Sequence, residues 1–245
     1  MRIGGFQRFS LIDYPEKISA IIFTQGCNFR CPYCHNPELV YPEFFNEPIA
    51  EEEVFSFLKK RMDLIDGVVI TGGEPLLQSG LKDFLMHIKQ MGYSIKLDTN
   101  GSLPQKLKEL LKNGLLDYIA MDYKGPLGTY RKIVRVEINP ADIRRSLELV
   151  IRSGIQYEMR TTVFNGLSLG DLIEMMMELQ SFCVKNYFLQ MFVPWPGCRK
   201  DLSPRDINTD YLFQNLMHRF WRYGIRNLKE EQYHYGDNRR KDKCN

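Results

Sequence analysis

Apolar residues along this chain alternate between two periods. Short continuous runs rich in β-branched side chains recur at 18–26 (ISAIIFTQG), 67–73 (GVVITGG), 94–101 (SIKLDTNG), 116–124 (LDYIAMDYK), 156–163 (QYEMRTTV) and 185–193 (KNYFLQMFV). Each has the length of a strand, and continuous apolarity fits strands buried on both faces. Between them the apolar positions take helical spacing. Leu81, Phe84, Leu85, Ile88 and Met91 share one face, as do Ile143, Leu147, Val150 and Ile151, opened by Asn139-Pro140 and closed by Gly154. Ser168 and Asp171 form a capping pair ahead of Leu172, Met175, Met176 and Leu179, whose methionines read as core packing. A further helix is expected over 206–223, with Tyr211, Leu212, Leu216 and Phe220 on its apolar face.

Strand–helix alternation with short connections implies a parallel sheet with helical crossovers. Six such units predict an α/β fold: a partial (β/α)6 TIM-like barrel, with outer helices, in one domain over 1–228. The stretch 229–245 is charged and without apolar periodicity, so it reads as a frayed tail whose RRKDK run is a solvated end.

Composition narrows the function classes. Of 245 residues, 44% are hydrophobic and 26% charged, and 33 Lys and Arg against 30 Asp and Glu leave a net charge of +3. That balance is too mild to point to nucleic acid. No apolar run approaches the roughly 18 residues that span a bilayer, so no membrane is expected. The N-terminus MRIGGFQRFS lacks the apolar core of a signal peptide, which places the chain in the cytoplasm, where thiols stay reduced. Clustered cysteines there read as metal-binding or catalytic; Cys183, Cys198 and Cys244 are scattered singly and read as small buried or tail residues.

In parallel barrels functional groups collect where strands end. The first strand here runs into Cys27-Asn28-Phe29-Arg30-Cys31-Pro32-Tyr33-Cys34, and the second into Gly72-Gly73-Glu74-Pro75. The third ends in Asp98-Thr99-Asn100-Gly101 and the fourth in Asp122-Tyr123-Lys124. The fifth carries Arg160, and the sixth carries Gln190, followed by Pro194-Trp195-Pro196-Gly197. Taken singly, Asp98 could cap a turn and Lys124 could snorkel. Jointly they mark one edge of the sheet as an active site, because polar groups in apolar strands are costly unless used.

The cysteine spacing is C-x3-C-x2-C. Three thiolates this close can hold three corners of a [4Fe–4S] cluster, whereas a structural zinc site wants four ligands. His35 adjoins Cys34 and is poorly placed to chelate the same metal; Cys183 and Cys198 remain open as distant ligands. The simplest reading leaves the fourth iron to a small molecule.

This motif, with Tyr33 before the third cysteine and GGEP at Gly72 to Pro75, resembles the radical S-adenosylmethionine (SAM) superfamily. CPYCHNP from Cys31, LDTNG from Leu97 and the D-x-K of Asp122 and Lys124 resemble glycyl-radical-enzyme activating proteins. The leading segment GGFQRFSLIDYPEKISAIIFTQGCNFRC is similar to activators of anaerobic ribonucleoside-triphosphate reductase. The resemblance runs over about 3–193. It implies that Cys27, Cys31 and Cys34 ligate the cluster and that the open iron binds the methionine end of SAM. One electron then cleaves SAM, and the 5′-deoxyadenosyl radical abstracts a hydrogen atom. It further implies that Tyr33 lies against adenine, that Gly72, Gly73 and Glu74 receive the amino group through backbone, and that Asp98 and Lys124 contact the polar end of SAM. Arg160 would reach SAM or the substrate loop. In some relatives the equivalents of Asp98, Thr99 and Asp122 hold a monovalent cation. The implied partners are a glycyl radical enzyme and a low-potential electron donor such as flavodoxin or ferredoxin. Glu16 departs from this pattern, standing where relatives often have glycine, and no second cysteine cluster appears. Two alternatives stay open: a radical SAM enzyme acting on a small molecule of deazapurine-type biosynthesis, and a non-catalytic zinc or electron-transfer protein.

Overall fold

Each buried strand returns to the sheet through a helix laid over one of its faces, so consecutive strands pair in parallel and in chain order. In the computed structural model, which describes residues 1–228 and 234–237, this gives β2 (Ser19–Thr24), β3 (Gly67–Gly72), β4 (Ser94–Thr99), β5 (Tyr118–Asp122), β6 (Gln156–Val163) and β7 (Asn186–Met191). The intervening helices are α1 (Glu51–Lys59), α2 (Leu81–Gln90), α3 (Pro104–Lys112), α4 (Tyr130–Val134), α5 (Pro140–Arg152) and α6 (Leu169–Ser181). All six expected strands are present, and the sheet is an open, partial barrel.

The sheet is wider than six strands. A strand β1 (Ile3–Ser10) pairs antiparallel with β2, and helix α7 (Thr209–Arg219) leads into β8 (Arg222–Arg226), parallel to β7. A last strand, β9 (His234–Asp237), closes the order β1 to β9 antiparallel to β8. The helix expected over 206–223 is therefore shorter at both ends. Phe220 already has extended backbone (φ −118°, ψ 157°), and its ring is buried among the core residues that anchor β8. Leu212 and Leu216 face the core, but Tyr211 is about half exposed. Strand β9 falls inside the stretch expected to fray; 229–233 and 238–245, with RRKDK and Cys244, lie outside the described residues.

The predicted helix signals hold at the level of single bonds. The Asn139 side chain accepts from the Ala141 amide at 3.1 Å to open α5. Ser168 and Asp171 make a reciprocal capping box at α6, whose Leu172, Met175, Met176 and Leu179 are buried. No helix among the described residues is long and apolar enough to cross a membrane.

Strand side chains alternate between two faces, and the two faces differ. Ile22, Val68, Ile70, Ile95, Leu97, Ile119 and Met159 join the large core under the helices. Ile21, Val69, Tyr118 and Ala120 form a second, smaller apolar cluster with Tyr14. It floors the concave side of the sheet. Further along the same parity come Thr71, Asp98, Asp122, Arg160 and Thr162, so the concave face turns polar toward the C-terminal ends of the strands.

Glu16 occupies the left-handed region at φ 63°, in an exposed turn closed by the Lys17 amide on the Tyr14 carbonyl. A side chain there costs about 1 kcal/mol that glycine avoids, which gives a backbone reason for glycine at this position. Glu16→Gly is expected to raise unfolding stability by about 0.5 kcal/mol, after the larger chain entropy of glycine is offset. Urea denaturation with an unchanged slope checks this; a loss of stability would contradict it.

Candidate active site

The cysteine loop is tied to the sheet through main chain. The Gly73 amide donates to the Thr24 carbonyl and the Glu74 amide to the Gly26 carbonyl, both at 2.8 Å. This approach leaves no room for side chains. A Cβ on Gly72, whose φ is 109°, would lie 2.4 Å from the Thr24 nitrogen, and one on Gly73 would lie 2.1 Å from the Gly26 oxygen. Beyond this seam the loop is held at several points. The Gly26 amide donates to Leu39, the Arg30 amide to Val134, and the Arg30 guanidinium to the carbonyls of Cys27 (2.7 Å) and Phe29 (2.8 Å). Asn100 Nδ2 donates to Asn28 Oδ1 at 3.0 Å, and Asn28 Nδ2 in turn donates to Ser102 Oγ at 2.9 Å.

Glu74 is fully buried behind this seam and does not line the cavity. Its carboxylate accepts from the Leu76 amide (3.1 Å), Thr99 Oγ1 (2.8 Å) and the Asn100 amide (2.7 Å), locking the turn after β3 to the turn after β4. Burial pushes it up to about 7 against the pull of these donors. The side chain of Glu74 is a brace for two loops, which leaves its main chain as the part the motif would present to a ligand.

Cys27, Cys31, Cys34, Tyr33, Gly72, Gly73, Asp98, Thr99, Asp122, Lys124 and Arg160 all line one cavity of about 240 Å³ at the C-terminal rim of the sheet. Burial pushes the thiols up, Cys27 to about 12 and Cys31 to about 11, with Cys34 raised as well; Lys124 pulls all three the other way. Without a metal they are thiols, so their ionisation is coupled to metal binding. Among the described residues no fourth cysteine lines this cavity. Cys198 is unbonded but does not line the cavity, and Cys183 is disulfide-bonded, which departs from the expected plain buried residue. His35 is engaged elsewhere: its Nε2 lies 3.1 Å from the Val193 carbonyl, and its ring packs on Phe192 and Trp195. It fastens the cysteine loop to the end of β7.

Opposite the thiols runs a chain of alternating charge. Lys96 Nζ meets Asp98 Oδ1 at 2.6 Å, Arg160 Nη1 meets Asp98 Oδ2 at 3.1 Å, and Arg160 Nε meets Asp122 Oδ1 at 3.0 Å. Lys124 Nζ completes it on Asp122 Oδ2 at 3.0 Å. Strand register builds this chain, because Asp122 and Arg160 are direct partners across β5 and β6. Burial alone would raise the Asp122 carboxyl, but Arg160 and Lys124 outweigh it and bring it down to about 2. Lys124 and Arg160 are raised in turn by Asp122, against the effect of burial. Tyr33 packs on Phe164, with ring centroids 4.5 Å apart, and the Lys124 ammonium stands 6.0 Å above its ring.

Thr71, Thr162 and Gln190 also line the cavity. The motifs do not mark them, but strand parity does: Thr71 lies two residues beyond Val69 and Thr162 two beyond Arg160, while Gln190 pairs with Thr162 across β6 and β7.

The family model of the Radical SAM superfamily matches residues 21–179. The chain belongs to the radical SAM superfamily. Its members work with a [4Fe–4S] cluster and SAM, and the donor set here fits that pair: three cysteines on one loop face one cavity, and no other cysteine among the described residues lines it. An inferred glycyl-radical enzyme activating enzyme of Methanocaldococcus jannaschii is 35% identical over 65% of this chain and 67% of its own length. The pyruvate formate-lyase-activating enzyme of Clostridium pasteurianum is 34% identical over 50% of this chain and 52% of its own. A GTP 3′,8-cyclase of Helicobacter pylori is 29% identical over 72% of this chain and 54% of its own. The chain thus spans about half the length of the last two relatives. Among solved structures, Streptococcus suis SuiB bound to S-adenosylmethionine superposes with a TM-score of 0.65 at 14% identity, over 85% of this chain and 50% of that one.

Gly73→Ala forces the seam apart, and is expected to lower stability by about 1–3 kcal/mol and to reduce iron and sulfide bound per chain after reconstitution. Wild-type iron content in this variant would show that the seam does not hold the loop. Asp122, lowered from its usual 3.8 to about 2, contributes stability that is present at neutral pH. That contribution, about 2 kcal/mol, is lost as pH falls through roughly 4 to 2. Asp122→Asn should be less stable at neutral pH and flatten this acid limb in pH-dependent melting.

Proposed function

We propose that this chain is a radical SAM activase that installs a glycyl radical on a partner protein. The observation that carries the reading is the meeting, on one cavity, of a three-cysteine loop with a charged rim built from Asp98, Asp122, Lys124 and Arg160. It is supported by the activating-enzyme relatives, both at about one third identity.

In this reading Cys27, Cys31 and Cys34 hold the cluster. The main chain of Gly72 and Gly73 receives the methionine amino group, braced from behind by Glu74 and Thr99. Lys124 meets the carboxylate, as a charge-assisted donor suits. Arg160 fixes the carboxylates of Asp98 and Asp122 in place and borders the ligand. Tyr33, held between Phe164 and Lys124, offers its face to the adenine. When bound by these residues, the cluster and SAM would supply one-electron chemistry capable of removing a hydrogen atom from a glycine. The rest of the protein's task is to orient these groups and keep water from them. The partner is a glycyl radical enzyme, with anaerobic ribonucleoside-triphosphate reductase favoured by the leading segment through Cys31. A flavodoxin or ferredoxin would supply the electron.

A second reading, in which the substrate is a small heterocycle, is supported by the GTP 3′,8-cyclase relatives. One experiment separates the two. Anaerobically reconstituted, reduced protein is mixed with SAM and the reductase, and the glycyl doublet is followed by EPR beside 5′-deoxyadenosine. The activase reading expects the doublet, abolished by Cys31→Ala. Deoxyadenosine formation that leaves the reductase silent but converts a nucleotide would favour the heterocycle.

A further inference from the structure

We infer that the ammonium of Lys96 is a built-in counter-ion that takes the place of a monovalent cation beside Asp98, so this chain organises its ligand cavity without a monovalent metal. The family resemblance raises such a cation at Asp98, Thr99 and Asp122, and the residues present do not fit it. Asp98 Oδ1 is taken by Lys96 at 2.6 Å, and Oδ2 by Arg160 at 3.1 Å and the Thr71 hydroxyl at 3.3 Å. Asp122 gives Oδ1 to Arg160 and Oδ2 to Lys124. The Thr99 hydroxyl donates to Glu74 and accepts from the Gly101 amide, so it is turned away from both carboxylates. No side-chain oxygen of the three is left without a donor or a cation.

The position of Lys96 is built rather than incidental. Its side chain is only 3% exposed, and it lies two residues before Asp98 on β4, hence on the same face of the sheet. Its ammonium stands 5.9 Å over the ring of Tyr118, its register partner on β5. A buried ammonium is tolerated only where a carboxylate and further polar or aromatic partners surround it. Of the other carboxylates on this face, Glu158 is held by two bonds from Arg226, at 3.1 and 2.7 Å, and Asp122 by Arg160 and Lys124. Asp98 is therefore the anion that Lys96 answers.

Charge balance points the same way. Lys96, Arg160 and Lys124 carry three positive charges against two on Asp98 and Asp122, leaving one positive charge in excess. A further cation would enter against that excess, whereas the carboxylate of a zwitterionic ligand would neutralise it. Lys96 makes no contact with the cavity, so its role is to position Asp98 and, through Asp98, Arg160.

The ligand readout below rests on the SAM reading of the cavity; the melting readout does not. Melting of the metal-free protein and SAM affinity of the reconstituted protein are measured in sodium, potassium and tetramethylammonium chloride at one ionic strength, for wild type and Lys96→Ala. Wild type is expected to give the same values in all three salts. Lys96→Ala should melt lower and bind SAM at least about tenfold more weakly in tetramethylammonium, with both defects partly repaired by sodium, potassium or methylammonium. A wild type that needs sodium or potassium overturns the inference, as does a Lys96→Ala protein equal to wild type in tetramethylammonium. If Lys96→Ala does not fold, Lys96→Met/Asp98→Asn replaces it. That variant should be indifferent to cations, and repair by them would overturn the inference. Wild type that fails to bind SAM in every salt counts against the SAM reading alone, because the melting comparison still tests Lys96.

Discussion

The site depends on one close approach of main chain to main chain, between 24–26 and 72–74. Two amide-to-carbonyl bonds of 2.8 Å cross it, and the geometry admits no Cβ on Gly72 or Gly73. Everything the cysteine loop does follows from where this seam leaves it. Loops are the mobile parts of a parallel barrel, yet three thiols must keep fixed spacing to hold a cluster. Main-chain bonds to β3, the Asn100 and Arg30 clamps and the His35 stack convert a flexible connection into part of the sheet edge. Glu74 extends the same logic one strand further, since its buried carboxylate joins the turn after β3 to the turn after β4.

Several of these features could be read before any coordinates. The six parallel strands declared themselves through continuous β-branched runs, and α5 and α6 through cap residues whose bonds the structure contains. Eleven of the twelve candidate residues meet on one cavity because strand ends in a parallel sheet share one edge, which is a property of topology more than of any one residue. The twelfth, Glu74, is expected to act largely through backbone. Its buried side chain braces the turns after β3 and β4, a task the motif alone does not state.

What stayed illegible has physical causes. Strand β1, with Gly4, Gly5, Gln7 and Arg8, lacks the apolar run of a strand buried on both faces, because it is an edge strand with one flank open for much of its length. Strand β8 hides behind α7, since Phe220 and Tyr223 continue a plausible helical spacing from Leu216 while burying their rings from extended backbone. Thr71 and Thr162 carry no motif, yet register places them on the cavity as surely as it places Arg160. Lys96 reads in sequence as a polar interruption of an apolar strand. Only its distance to Asp98 gives it a purpose.

The concave face of the sheet explains why charge can be used this way. Its floor is apolar, with Tyr14, Ile21, Val69, Tyr118 and Ala120 excluding water beneath the rim. Ion pairs on such a floor are screened far less than pairs at the surface, so a carboxylate left unmatched there is costly. Arg160 matches two at once, since its planar fork reaches Asp98 with one nitrogen and Asp122 with another, which a lysine cannot do. The strand order then sets the polarity of the rim: cations at both ends, carboxylates between them, and one positive charge left over toward the thiols. A ligand without a carboxylate would leave that charge uncompensated in a poorly screened place. A ligand that brings its own carboxylate would complete the alternation, so the charge pattern suits the amino-acid end that the proposed reading places there.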